Sequence, residues 1–171
     1  KLGIRNHKQK IGLNSCRGYR DKNMEKHKLY IEAEQKQHEK EIELLTGQIF
    51  GPGRFARAPA ALREIGIFDQ QHSFVACMDN KLVGSIRMMQ IVLQKRKAFL
   101  LGPLLVEQAY RGQKIGEALV KHALASVQHT DAILVMLIGD FVYYKRLGFE
   151  KIPYGHVQFL RPVDLDRILF F

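Results

Sequence analysis

The chain has 171 residues and a formal net charge of +10, with 46% hydrophobic and 26% charged residues. That length predicts one domain with room for a real core. It carries no apolar run of about eighteen residues, which excludes a transmembrane helix, and its basic start lacks the continuous apolar stretch of a signal peptide. Its two cysteines, Cys16 and Cys77, make no disulfide framework and point to a reducing compartment, the cytoplasm.

The charge is uneven. Residues 1–23 hold seven Lys or Arg against Asp21 alone, so the tail carries +6 of the +10. We read it as a basic N-terminal extension, expected to be poorly ordered. Such a tail can bind nucleic acid or an acidic surface. A solvated end is the simpler reading, and nucleic acid is not expected as a partner. Met24 is a candidate start, and residues 24–171 read as a single domain.

In chain order, "KLYIEAE" (28–34) alternates and predicts a strand. "QKQHEKEIELLTGQIF" (35–50) predicts a helix with Ile42, Leu45 and Ile49 inward, broken by "GPGR" (51–54). Residues 55–66 predict a short second helix with Pro59 in its first turn. "HSFVACMD" (72–79) and "LVGSIRMMQIVLQ" (82–94) predict a hairpin turning near Asn80-Lys81. "KRK" (95–97) predicts the next turn and "AFLLGPLLVE" (98–107) a buried strand. From Tyr110 the sequence reads "YRGQKIGEALVKHALASV". Ile115, Leu119, Ala123 and Val127 fall four apart, so a helix over 112–128 carries one apolar stripe.

"DAILVMLI" (131–138) predicts a central strand, and "GDFVYYKRLG" (139–148) a short helix ended by Gly148. "FEKIPY" and "HVQFL" predict late strands. The apolar end "RILFF" (167–171) either caps the core or pairs with a second subunit. Exposed Phe170 and Phe171 would favour a homodimer. The order of elements is an antiparallel meander followed by a helix crossover to another strand, so the fold class is α+β or α/β with a mixed sheet.

The turn at 111–116 is the first candidate site. The first N–H groups of a helix lack partners and carry partial positive charge. Glycines let a ligand approach that backbone, and Arg111 and Lys114 add charge. The turn can hold a phosphate, or Gly112 and Gly116 can simply shape a loop. Neither a P-loop nor a dinucleotide fingerprint is present.

Residues 98–149 resemble the GNAT superfamily of acyl-CoA-dependent N-acyltransferases. The resemblance rests on a strand ending Leu104-Leu105-Val106, then the Arg/Gln-x-x-Gly-x-Gly/Ala motif, then a helix. That motif reads Arg111-Gly112-Gln113-Lys114-Ile115-Gly116. The second mark is Tyr-x-x-x-Gly-Phe, which reads Tyr144 to Phe149. "LLGPLLV", "GD..YY.R.GF" and "GPGRFAR...LRE" are similar to the YhbS-like bacterial N-acetyltransferases, over about residues 28–169. The resemblance implies the GNAT fold, with a mostly antiparallel central sheet flanked by helices, and a bacterial, cytoplasmic enzyme. It implies acetyl-CoA or coenzyme A as co-substrate; the histidines are scattered, with His122 and His129 two turns apart on a helix, so no metal is expected.

The same resemblance assigns roles. Amides of residues 112–116 would hold the pyrophosphate, and the pantetheine arm would pair with 104–106 like an added strand. Gly102-Pro103 would help open that edge, or form a simple bulge. Tyr144 matches the general acid, and a phenol is protonated at neutral pH. Backbone N–H groups near 105–106 would polarise the thioester oxygen. Tyr143 reads as packing. Lys114 stands where the family has its first glycine. Its Cβ can crowd the cofactor, or its ammonium can pair with a phosphate.

No spacing selects a general base among Glu107, Asp140 and His72. Asp140 reads better as the N-cap of its helix and Glu107 as a solvated turn residue. Arg54, Arg57 and Arg63 read as a charged outer face, with an acidic acceptor as the alternative. The expected function is acetyl transfer from acetyl-CoA to a primary amine of a small molecule or protein. The alternatives are a degenerate acyl-CoA-binding module and nucleic-acid binding through the tail.

Overall fold

The computed structural model describes residues 28–51, 66–153, 155 and 163–171. The expectations for the tail at 1–23, the helix at 55–66, Arg54, Arg57 and Arg63, and the strand at 156–160 lie outside the described residues.

β1 (Leu29–Ala33) leads through a short 3-10 turn at Lys36–His38 into α1 (Glu39–Phe50). β2 (Ile67–Met78), β3 (Lys81–Leu93) and β4 (Arg96–Val106) are long apolar strands joined by tight hairpins. The first hairpin turns at Asp79-Asn80, with φ of 51° and 62°, and not at Asn80-Lys81. Both turn positions need left-handed backbone, which Asp and Asn tolerate better than Lys. The second turns at Gln94-Lys95, so "KRK" is split and β4 begins two residues before the predicted 98. α2 (Ile115–Val127), β5 (Val135–Ile138), α3 (Phe141–Lys145), β6 (Glu150–Lys151) and β7 (Ile168–Phe170) follow.

The described strands form one sheet in the order β1-β2-β3-β4-β5-β7-β6. Neighbours are antiparallel except β4 and β5, which run parallel. The fold is thus the expected mixed, mostly antiparallel sheet. α2 covers one face, and its stripe is sealed: Ile115, Leu119 and Ala123 are at most 1% exposed and pack with Phe74, Ile86, Met88 and Phe99. Burying each Leu or Ile there contributes roughly 1.5–3 kcal/mol. α1 covers the other face, setting Ile42 and Leu45 against Val75, Leu82 and Leu105. Among the described residues no helix is long and apolar enough to cross a membrane.

The end of the chain is a strand that the sequence reading did not contain. β7 slots between β5 and β6, burying Ile168 and Leu169. Phe171 exchanges both backbone hydrogen bonds with Val135, and its ring lies 5.5 Å from that of Phe149. Ile168 and Leu169 of "RILFF" therefore complete the core, while Phe171 stays 47% exposed.

Candidate active site

The site begins where β4 loses a partner. β4 pairs with β5 only at Phe99 with Val135 and Leu100 with Met136. Beyond that the two strands separate. The other edge of β4 stays in register with β3, with Ile86 opposite Leu104 and Met88 opposite Leu101. Two residues, Gly102 and Pro103, thus face Arg87 alone. This is a bulge, and bulges bend the strand that carries them. Pro103 has no N–H to offer a ladder. Arg87 itself is clamped, its Nε 2.9 Å from the buried Glu34 carboxylate.

Glu107 donates its N–H to the carbonyl of Val83 at 2.8 Å. Backbone groups alternate sides along an antiparallel strand. The peptide groups of Leu105 therefore face β3, and those of Leu104 and Val106 face the opening. The Leu105 side chain is fully buried against α1. The expected trio 104–106 is split: Leu104 and Val106 belong to the cleft, and Leu105 belongs to the core.

A cleft of about 520 Å³ fills the opening. Its lining includes Leu104, Val106, Tyr110, Arg111, Gly112, Lys114, Ile115, Gly116, Glu117, Tyr143 and Arg146. The strand end and the glycine turn thus meet in one place, as the sequence predicts. Gln113 does not line it. A second hollow, of about 690 Å³, adjoins through Ile49 and Arg111 and is lined by Gln48, Glu107 and Gln108.

Lys114 is the N-cap of α2, with φ 60° and ψ 12°. This is left-handed backbone, the conformation that glycine adopts most cheaply. The helix consequently starts at Ile115, three residues later than predicted. Gly116 does a different job. A Cβ there would lie 2.8 Å from the Tyr143 hydroxyl and 3.5 Å from both Leu104 and Val106. Its missing side chain lets α2 and α3 approach each other beside the β4 edge.

The tyrosines are placed otherwise than expected. Tyr143 lines the cleft instead of only packing away from it. Tyr144 turns inward, against Phe149 and Gly139. Consecutive residues of a helix point about 100° apart, so only one of the pair can face α2. The rings touch edge to face at 4.9 Å. Burial raises the Tyr144 phenol far above its ordinary 10.0, and the neighbouring Tyr143 adds to this. Burial also raises Tyr143, with the Glu117 charge second.

The charged lining is three cations, Arg111, Lys114 and Arg146, and one carboxylate, Glu117. Lys121 holds that carboxylate at 2.6 Å and lowers its pKa. Arg111 Nε donates a long bond of 3.4 Å to the Val106 carbonyl. Sequence reasoning missed Glu117, Tyr143 and Arg146. Glu117 was within reach, since it follows Gly116 in the first turn of α2. Arg146 sits one step past α3, where only the packing of that helix decides its side.

None of the three candidate bases lines the cleft. Asp140 caps α3 as expected, accepting from the Tyr143 N–H at 2.9 Å. Glu107, in the turn after β4, pairs with the exposed Lys81 at 2.7 Å. His72 Nδ1 lies 2.9 Å from Asp69, and its ring packs on Phe99 beneath α2.

The family model of the acetyltransferase (GNAT) domain matches residues 69–151. No curated protein matches the sequence. Several solved structures do. The chain is similar to the GNAT family N-acetyltransferase YhbS from Escherichia coli, solved in complex with CoA. They share 22% identity, over 86% of this chain and 83% of that one, at a TM-score of 0.67. It is similar to a GNAT family acetyltransferase from Brucella melitensis in complex with acetyl-CoA. There the identity is 26%, over 85% and 97% of the two chains, with a TM-score of 0.62. A GNAT family acetyltransferase from Staphylococcus aureus matches at 18% identity, 84% and 98% coverage and a TM-score of 0.60.

Proposed function

As this chain belongs to the GNAT superfamily of acetyltransferases, we propose that it transfers the acetyl group of acetyl-CoA to a primary amine. One observation carries the reading. The unpaired edge of β4, the Arg111–Gly116 turn and Tyr143 of α3 converge on a single cleft, with Tyr144 packed edge to face behind Tyr143. The turn offers helix N-terminal amides and cations to a pyrophosphate. The outward peptide groups of Leu104 and the N–H of Val106 offer a strand edge to the amide-bearing pantetheine arm. The structures of the Escherichia coli and Brucella melitensis proteins, which hold CoA and acetyl-CoA, support that choice of co-substrate.

The chemistry is acyl transfer by direct attack. A neutral amine attacks the thioester carbonyl, the carbon–sulfur bond breaks, and the departing thiolate takes up a proton. Tyr144 is the proposed proton donor. Its place in the Tyr-x-x-x-Gly-Phe motif supports the role, and burial keeps its phenol protonated at every working pH. The N–H of Val106 faces the opening and is the proposed donor to the thioester oxygen. The amine is free to come from a small molecule or a protein, since the donor site does not fix the acceptor.

The test is thiol release from acetyl-CoA across a panel of primary amines, with Tyr144→Phe beside the wild type. We expect turnover in the wild type and a fall of about 10²-fold or more in the variant, with acetyl-CoA affinity unchanged. Unchanged turnover in Tyr144→Phe would remove that residue's role. Because Tyr143, and not Tyr144, lines the cleft, Tyr143→Phe is the control that separates the two hydroxyls.

A further inference from the structure

The pyrophosphate reading leaves one cleft cation without a task. Arg146 lines the cleft from the end of α3, not from the turn at 111–116. Its guanidinium lies 5.4 Å from the centroid of the Tyr143 ring, which holds it along that wall. Among the described residues it makes no close ion pair, and its charge is only a minor contributor, after Lys121, to the lowered pKa of Glu117. The one carboxylate of the lining, Glu117, is already bound by Lys121.

Coenzyme A carries three phosphoryl groups: the two of the pyrophosphate and a monoester at the ribose 3′ position. The amides of the turn, with Arg111 and Lys114 beside them, suit the pyrophosphate. A monoester dianion is best met by a planar guanidinium that can donate two parallel bonds. Building on the acetyl-CoA reading above, we propose that Arg146 pairs with the 3′-phosphate of coenzyme A. It thereby makes the protein discriminate CoA from 3′-dephospho-CoA. The simpler account of Arg146, a cation placed favourably at the C-terminus of α3, predicts a stability effect and no such discrimination.

The experiment is calorimetric titration of CoA and of 3′-dephospho-CoA into the intact protein and into Arg146→Gln. Arg146 is exposed, so the variant is expected to fold. The wild type should bind CoA roughly tenfold or more tighter than 3′-dephospho-CoA, the worth of one charge-assisted pair. In Arg146→Gln that ratio should fall to near one through weaker CoA binding alone, with 3′-dephospho-CoA affinity unchanged. Raising salt should shrink the wild-type preference. Equal wild-type affinity for the two nucleotides would overturn the proposal and leave the acetyl-CoA reading standing. An equal loss of both in Arg146→Gln would also overturn it, placing the guanidinium on the shared part of the molecule. Binding of neither would overturn the proposal together with the reading it rests on.

Discussion

Lys114 shows how one residue can break a sequence rule while keeping the geometry behind it. Its φ of 60° is the backbone that a glycine supplies freely. A lysine held there costs roughly 1–2 kcal/mol relative to right-handed backbone. Lys114→Gly should therefore raise stability by about 1 kcal/mol in urea unfolding, after glycine's greater chain entropy is counted. Lys114→Ala should not, because alanine meets the same strain. Tyr144 gives a second expectation, one that depends on pH. Its phenol titrates near 10.0 in the unfolded chain and well above that when folded. Its contribution is fully present below pH 10 and is lost as pH rises beyond it, because only the unfolded chain then releases the proton. Thermal unfolding should show stability falling above pH 10, and Tyr144→Phe should reduce that slope, leaving the share of Tyr143 and Lys81, which are raised as well.

At the scale of elements, the site depends on how closely α2 and α3 approach each other. Gly116 sets that distance, since a Cβ would meet the Tyr143 hydroxyl at 2.8 Å. Gly116→Ala should push the Tyr143 ring into the cleft and weaken acetyl-CoA binding about tenfold. Tyr143→Phe, lacking the hydroxyl, should recover most of the loss when the two changes are combined. Calorimetry on the two single variants and the double variant would reveal that coupling. Much at this scale was legible in the sequence. The stripe of α2 and the turn before it follow from apolar period and glycine placement. Which tyrosine faces the cleft did not follow, because motif spacing finds a five-residue helix without fixing its rotation. β7 was illegible for a related reason. Three apolar residues become a strand only because Val135, more than thirty positions earlier, offers an open edge.

Across the whole molecule, the sheet makes a cleft by failing to close. Bulging at Gly102-Pro103 and only two paired positions between β4 and β5 leave a strand edge bare. The turn before α2, with Tyr110, Arg111 and Lys114, and the end of α3, with Tyr143 and Arg146, then line the gap. The general base was not legible and none of its candidates reaches the cleft: Glu107, Asp140 and His72 are each committed to a structural partner. Everything else in the account depends on what the cleft holds. Calorimetric titration of acetyl-CoA into the intact protein addresses this most directly. The account predicts saturable one-to-one binding, with a dissociation constant of about 1–100 μM, or roughly −8 to −5.5 kcal/mol. No saturable heat at millimolar acetyl-CoA would mean that Lys114 closes the turn to the pyrophosphate, and would contradict the account.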